Sequence, residues 1–155
     1  MQIYNMKNNS LLTSGPKHIF RIKIEFPKEM NISSETVREA NLPSQNGSKW
    51  NDINIQFIDF IFNSNSKTFF NLMKKQCSFL NKIKRIFLKK GISFCFEIKI
   101  VDSTNTVVEI WKVNVEKIKS VDYGVFLYTN EKIDTVQKIN VSLKIKSCEL
   151  IQILN

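Results

Sequence analysis

The sequence predicts a mainly β domain with one helix, an α+β arrangement in which an antiparallel β-sandwich or small barrel is packed by a single α-helix. Three observations carry this. Ser93 to Ile100 alternates with period two, placing Phe94, Phe96, Ile98 and Ile100 on one face and Ser93, Cys95, Glu97 and Lys99 on the other. Lys138 to Lys146 does the same, with Ile139, Val141, Leu143 and Ile145 inward and Lys138, Asn140, Ser142, Lys144 and Lys146 outward. The third is a change of period after Ser64, where apolar residues recur at helical spacing.

Taken in order, residues 1–16 show no periodicity and end in Thr13-Ser14-Gly15-Pro16, which reads as a flexible N-terminal arm before one β domain over 17–155. Phe20, Ile22, Ile24 and Phe26 then alternate with Arg21, Lys23 and Glu25 until Pro27, which has no N–H to give to a ladder and closes the strand. Asn31 to Glu39 fits a short helix or an extended strand. Leu42-Pro43-Ser44-Gln45-Asn46-Gly47-Ser48-Lys49 concentrates turn-forming residues and predicts a protruding loop ahead of Trp50. Ile53, Ile55 and Phe57 form a strand that Asp59 interrupts before Phe60-Ile61-Phe62. From a cap at Ser64 or Ser66, the residues Phe69, Phe70, Leu72, Met73 and Cys77 mark the apolar side of a helix, with Lys67, Lys74 and Lys75 opposite. Phe79, Leu80, Ile83 and Phe87 continue the pattern towards a stop at Gly91.

Ser93 to Ser147 reads as a β-meander. Asp102-Ser103-Thr104-Asn105 supplies side chains that hydrogen-bond their own backbone, so a hairpin turn is expected there. Val107 to Val121 is rich in β-branched residues and carries Trp111 on the same face as Val113 and Val115. Its alternation slips between Val107-Val108 and Ile110-Trp111, which fits either a bulge or a strand buried on both faces. Asp122-Tyr123-Gly124 breaks the run, Val125 to Tyr128 is a short apolar step, and Thr129 to Lys132 bends into the last strand.

Composition narrows the function classes. At 155 residues, 43% apolar and 24% charged, the chain fits one globular domain. No run approaches the roughly 18 apolar residues of a membrane helix, and Met1 to Ile19 lacks a leader's apolar segment, so no membrane is expected and the protein is expected to stay, until assembly, in the cytoplasm that makes it. Cys77, Cys95 and Cys148 are scattered, which suggests neither a disulfide framework nor a zinc site. Cys95 and Cys148 lie in strand patterns, where packing is the expected role. His18 is the only histidine and has no nucleophile or orienting acid near it in sequence. Glycines number four, with no phosphate-cradling cluster. No catalytic, cofactor or metal residues emerge, and the protein is expected not to be an enzyme. The 23 basic against 14 acidic side chains give +9, which makes a basic nucleic-acid-binding β domain the alternative reading. The lysines are spread along the chain without interleaved aromatics, so a solvated face is the simpler account.

A run of short motifs in fixed order points further. Val107-Val108-Glu109-Ile110-Trp111-Lys112-Val113, Ile118-Lys119-Ser120-Val121-Asp122-Tyr123-Gly124, Leu127-Tyr128 and the closing Val141-Ser142-Leu143-Lys144-Ile145 resemble the tail tube proteins of contractile-tailed bacteriophages. The sequence departs from that pattern at Leu127-Tyr128, where no aspartate stands between. Weaker support comes from Leu42-Pro43 and from Trp50 to Phe62. The resemblance implies a structural virion protein of the phage tail that forms stacked hexameric rings and serves as the conduit for genome ejection. It further implies a homo-oligomer that meets tail sheath and baseplate or terminator proteins while genomic DNA passes through the lumen. Tube-like baseplate components and tubes of contractile secretion systems share this fold and are further alternatives.

The resemblance also assigns surfaces. The loop Leu42, Pro43, Ser44, Gln45, Asn46, Gly47, Ser48, Lys49 and Trp50 is the expected ring-stacking element. Strands contributed to a ring-wide channel sheet would pair their open margins with neighbouring copies. One polar strand face would then line the channel, the candidates being Glu97, Lys99, Lys138, Asn140, Ser142 and Lys144. A basic belt would retain DNA, so Lys138, Lys144 and Lys146 are expected to be offset by acids such as Glu97, or the excess charge to lie outside.

Overall fold

The computed structural model describes residues 20–59, 64–80, 93–124 and 137–152. The N-terminal arm, Phe60-Ile61-Phe62, any helix beyond Leu80, and the step and bend over 125–132 lie outside the described residues. The elements are β1 (Arg21–Glu25), β2 (Val37–Ala40), β3 (Gln45–Asn46), β4 (Lys49–Trp50), β5 (Ile53–Ile58), α1 (Asn65–Leu80), β6 (Phe94–Val101), β7 (Val107–Asp122) and β8 (Lys138–Gln152), with short 3-10 turns at Lys28–Met30 and Ser34–Thr36.

Six strands form one antiparallel sheet in the order β1-β6-β7-β8-β5-β2. It curls into a nearly closed barrel whose two margins are β1 and β2. The inward rows meet in a single core: Ile24 beside Ile98, Phe96 beside Val113, and Ile53, Ile55 and Phe57 beside Leu143, Val141 and Ile139, all at most 1% exposed. Asn31 to Glu39 resolves into a 3-10 turn capped by Ser33 followed by β2, so both readings of that stretch hold in part. Pro27 ends the first strand region and opens the next turn.

The turn at Asp102 forms as its residue types dictate. Asp102 Oδ1 accepts from the Thr104 amide (2.8 Å), the Thr104 hydroxyl (2.6 Å) and the Thr106 amide (2.9 Å), while Asn105 takes a left-handed φ of 64°. The slip at Val107-Val108 is a bulge: Ile100 pairs with Glu109 and Val101 with Val107, leaving Val108 over. Three further irregularities were not legible. Pairing between β7 and β8 skips Lys146, Glu116 and Lys119, and each skip resets the phase, so that Val115, Ile118 and Val121 all turn to the core side although they stand three apart. A bulge costs ladder hydrogen bonds but bends a strand. Here it lets two strands of 16 and 15 residues wrap the barrel.

The helix corrects the reading of its inner face. Ser64 caps it, its hydroxyl accepting from the Lys67 amide at 3.2 Å, and Asp59 receives the Ser66 amide at 3.3 Å. Phe69 is fully buried against Phe57, with ring centres 5.2 Å apart, and Leu72 and Met73 pack on the core. Phe70, however, is 57% exposed and Cys77 is exposed, while Gln76 is buried. Positions 65, 69, 72, 73 and 76 form the true inner stripe, and the sequence misplaces it because an amide stands where an apolar residue was sought. Ile22 is a second correction. It lies in the inward register opposite Ile100 but is 46% exposed, because β1 is a margin with no strand beyond it.

Candidate assembly surface

The segment Asn41 to Asp52 is more ordered than a plain loop. Gln45 pairs with Trp50 and Asn46 with Lys49, making a tight hairpin whose turn has Gly47 at φ 62° in its first central position, where glycine avoids the penalty a side chain would meet. Asn41 ties its base: the side chain donates to the Asp52 carbonyl at 3.1 Å and accepts from the Asn54 amide at 2.6 Å. Asn51 closes the other side, its amide on the Ser44 carbonyl and its side chain on the Ser44 hydroxyl, both at 2.9 Å. Leu42, Pro43 and Trp50 are half-buried, and Trp50 meets Trp111 edge-on with ring centres 6.4 Å apart. An ion pair of 2.5 Å joins Lys119 to Asp52. Ser44, Gln45, Asn46, Gly47, Ser48 and Lys49 remain exposed, carried on a firmly anchored stem.

Glu97, Lys99, Lys138, Asn140, Ser142 and Lys144 all lie on the outward side of the one large sheet. That side carries two unlike sets of rows. Across β1 and β6, Lys99 bridges Glu25 and Glu97, the latter at 3.5 Å, and Lys23 lies 3.0 Å from Glu25. The Lys99 bond, then that of Lys23, holds the Glu25 carboxyl below its usual range against the opposing effect of burial. The Glu25 bond in turn raises the Lys99 ammonium, with burial acting against it. Across β5, β8 and β7 two adjacent outward rows are almost uncharged, between Lys138 on one side and Lys144 on the other: Gln56 and Asn140, hydrogen-bonded at 3.0 Å, followed by Asp122, and Asn54, Ser142 and Ser120 beside them. These rows line an open trough together with Phe20 to Ile22 and Val37 to Asn41, from the two sheet margins.

Of the three lysines expected to be offset, Lys144 alone has an acidic partner among the described residues. Lys144 pairs with Glu116 at 3.0 Å, a residue turned to it by the bulge, and Glu97 serves Lys99 instead. Among the described residues Lys138 and Lys146 have no ion pair. Glu116 and Glu25 were missed because partnership across bulged or neighbouring strands depends on register.

No group of three or more potential metal ligands occurs among the described residues. Cys95 is exposed rather than packed, and Cys148 is half-buried, its thiol pushed up to about 11 first by burial and then by the neighbouring Cys95. At neutral pH Cys148 is therefore a protonated, weakly nucleophilic thiol. No helix among the described residues is long and apolar enough to cross a membrane.

No family model matches the chain, and no curated protein matches it significantly. Among solved structures, the fold is similar to that of a chain in the sheath–tube complex of an extracellular contractile injection system, PVC, in its extended state. The TM-score is 0.55 and the identity 12%, with 95% of this chain and 99% of that chain covered. At that identity the likeness is one of fold, extending over almost the whole of both chains.

Proposed function

We propose that this protein is a structural subunit that closes into rings, hexameric by the resemblance of its motifs, which stack into the inner tube of a contractile tail-like assembly. The observation that carries the reading is the fold likeness over 95% of this chain and 99% of a chain from a sheath–tube complex. The geometry supports it. A sheet with margins at β1 and β2 carries backbone donors and acceptors that another copy can satisfy. The hairpin Ser44 to Lys49, exposed along its length and anchored at its base, serves as the stacking element between rings. The chain makes no catalytic contribution and needs no cofactor; its partners are further copies of itself, an outer sheath, and the baseplate or terminator proteins that begin and end the tube.

Two versions of this object fit the fold. In a phage virion the lumen passes genomic DNA at ejection, which the order of motifs from Val107 to Ile145 favours. In an injection machine it passes other cargo, which the identity of the structural neighbour favours. Sedimentation velocity across protein concentration and salt tests the common claim: ring-sized and larger species that form without nucleic acid are expected. A monomer at all concentrations that shifts DNA in a salt-sensitive manner would replace this reading with that of a basic nucleic-acid binder.

A further inference from the structure

The outward face of the sheet carries ion-paired rows on β1 and β6 and, across β5, β8 and β7, two adjacent rows with a single carboxylate, set between Lys138 and Lys144, and on the tube reading only the nearly neutral rows suit a conduit wall. We infer that the rows Gln56–Asn140–Asp122 and Asn54–Ser142–Ser120 line the bore, and that the charged rows of β1 and β6 do not. This rests on the proposed function and adds to it four wall residues, Asn54, Gln56, Ser120 and Asp122, with a reason for their chemistry.

The rows run across three adjacent strands in continuous register. They hold one formal charge in six side chains, and that one is already engaged, the Asp122 carboxylate accepting from the Gly124 amide at 2.9 Å. A solvated sheet face in a chain with 23 basic residues has no reason to exclude lysine from two whole rows. A wall does. Every copy in every ring repeats the same side chains along the path, so one uncompensated cation per copy becomes a continuous belt that holds a polyanion by counterion release. An apolar wall would instead hold unfolded chain by burial. Amides and hydroxyls avoid both, since their hydrogen bonds are met by each other, as between Gln56 and Asn140, and by water. Two lysines flank these rows on β8: Lys144 is offset by Glu116 at 3.0 Å, and Lys138, which has no ion pair among the described residues, stands at the end of the β8 pairing with β5. The β1 and β6 rows behave differently: their ion pairs reach the β1 margin itself, where a neighbouring copy would meet them.

Thiol accessibility in assembled polymers tests this. In a background with Cys77, Cys95 and Cys148 replaced by serine or alanine, Ser142→Cys and Ser120→Cys are each treated with N-ethylmaleimide and with a large polyethylene-glycol maleimide, before and after assembly. The expected result is that both reagents label free subunits, and that assembly abolishes labelling by the large reagent while the small one still reacts. Labelling of the polymer by both reagents puts the rows on the outside, and labelling by neither puts them in a subunit contact; each overturns the assignment while leaving the tube reading standing. Absence of any polymer removes both. Should the altered background fail to assemble, cryo-electron microscopy of the unmodified polymer decides by whether the Gln56–Asn140 row faces the bore.

Discussion

Gln76 reaches from the helix to Ile118 and makes both hydrogen bonds the strand offers: its amide nitrogen donates to the Ile118 carbonyl at 2.9 Å, and its oxygen accepts from the Ile118 amide at 3.0 Å. Ile118 sits between the skips at Glu116 and Lys119, where the ladder is interrupted. The helix thus completes a strand that its own bulges leave open, and the contact is 8% exposed or less on both sides.

Replacing this amide therefore costs more than its size suggests. Gln76→Leu keeps the bulk but strands two buried main-chain groups, each costing about 1–3 kcal/mol when unsatisfied. A loss of roughly 2–4 kcal/mol is expected, read as a lower urea midpoint, with Lys74→Leu on the exposed face as the near-neutral comparison. Equal midpoints for the two variants would contradict the role given to Gln76.

Two glycines with positive φ separate strain from collision. A side chain at Gly47 (φ 62°) meets open space, so Gly47→Ala carries only the left-handed penalty of about 1–2 kcal/mol. At Gly124 (φ 82°) the added carbon would run into the Lys138 carbonyl oxygen, so Gly124→Ala is expected to cost roughly 3 kcal/mol or more. Thermal unfolding of the pair checks the order, and an equal drop in Tm would contradict it.

Asp102 links the fold to pH. Its 2% exposure pushes the carboxyl up, but the Thr104 hydroxyl and the Thr106 and Thr104 amides together outweigh burial and hold it below its ordinary value. A folded-state value below the unfolded one stabilises the protein above the ordinary aspartate range, near 4, and that contribution disappears as pH falls through the lowered value. Asp102→Asn should flatten the acid side of the stability curve while lowering stability at neutral pH. A variant with an unchanged acid limb would show that other carboxylates govern it.

Trp50 holds the exposed hairpin to the sheet through Trp111. Trp50→Ala removes an aromatic pair worth about 0.5–1.5 kcal/mol beyond its buried area, and the Asn51 amide, bonded to Ser44, should exchange with solvent markedly faster. On the proposed role of the hairpin, rings persist in this variant while stacking is lost. Full-length polymers of Trp50→Ala would remove the hairpin from the stacking contact.

The sequence made the outline legible where one rule governs each stretch. Strict alternation at Phe94 to Ile100 and Ile139 to Ile145, and the Asp102 turn, translate directly because side-chain period and local hydrogen bonding fix them. What escaped depends on partners distant in sequence. The bulges at Glu116, Lys119 and Lys146 are visible only once β7 lies beside β8. Gln76 escapes because a buried amide looks like a surface residue until its strand is known, and Phe70 reads as inward on its apolar character alone, whereas adjacent residues of one helix point in different directions and only Phe69 sits on the buried stripe. The candidate wall residues Asn140 and Ser142 were read from alternation, whereas Asn54, Gln56 and Ser120 needed the register across β5 and β7.

Whether unpaired margins on identical copies meet to build a hollow object is the central claim, and negative-stain electron microscopy of the purified protein addresses it without labels or variants. Hollow rings of uniform diameter, or long tubes with a stain-filled axial bore, are the predicted result. Uniform compact particles of single-subunit size, unchanged at high protein concentration, would contradict it.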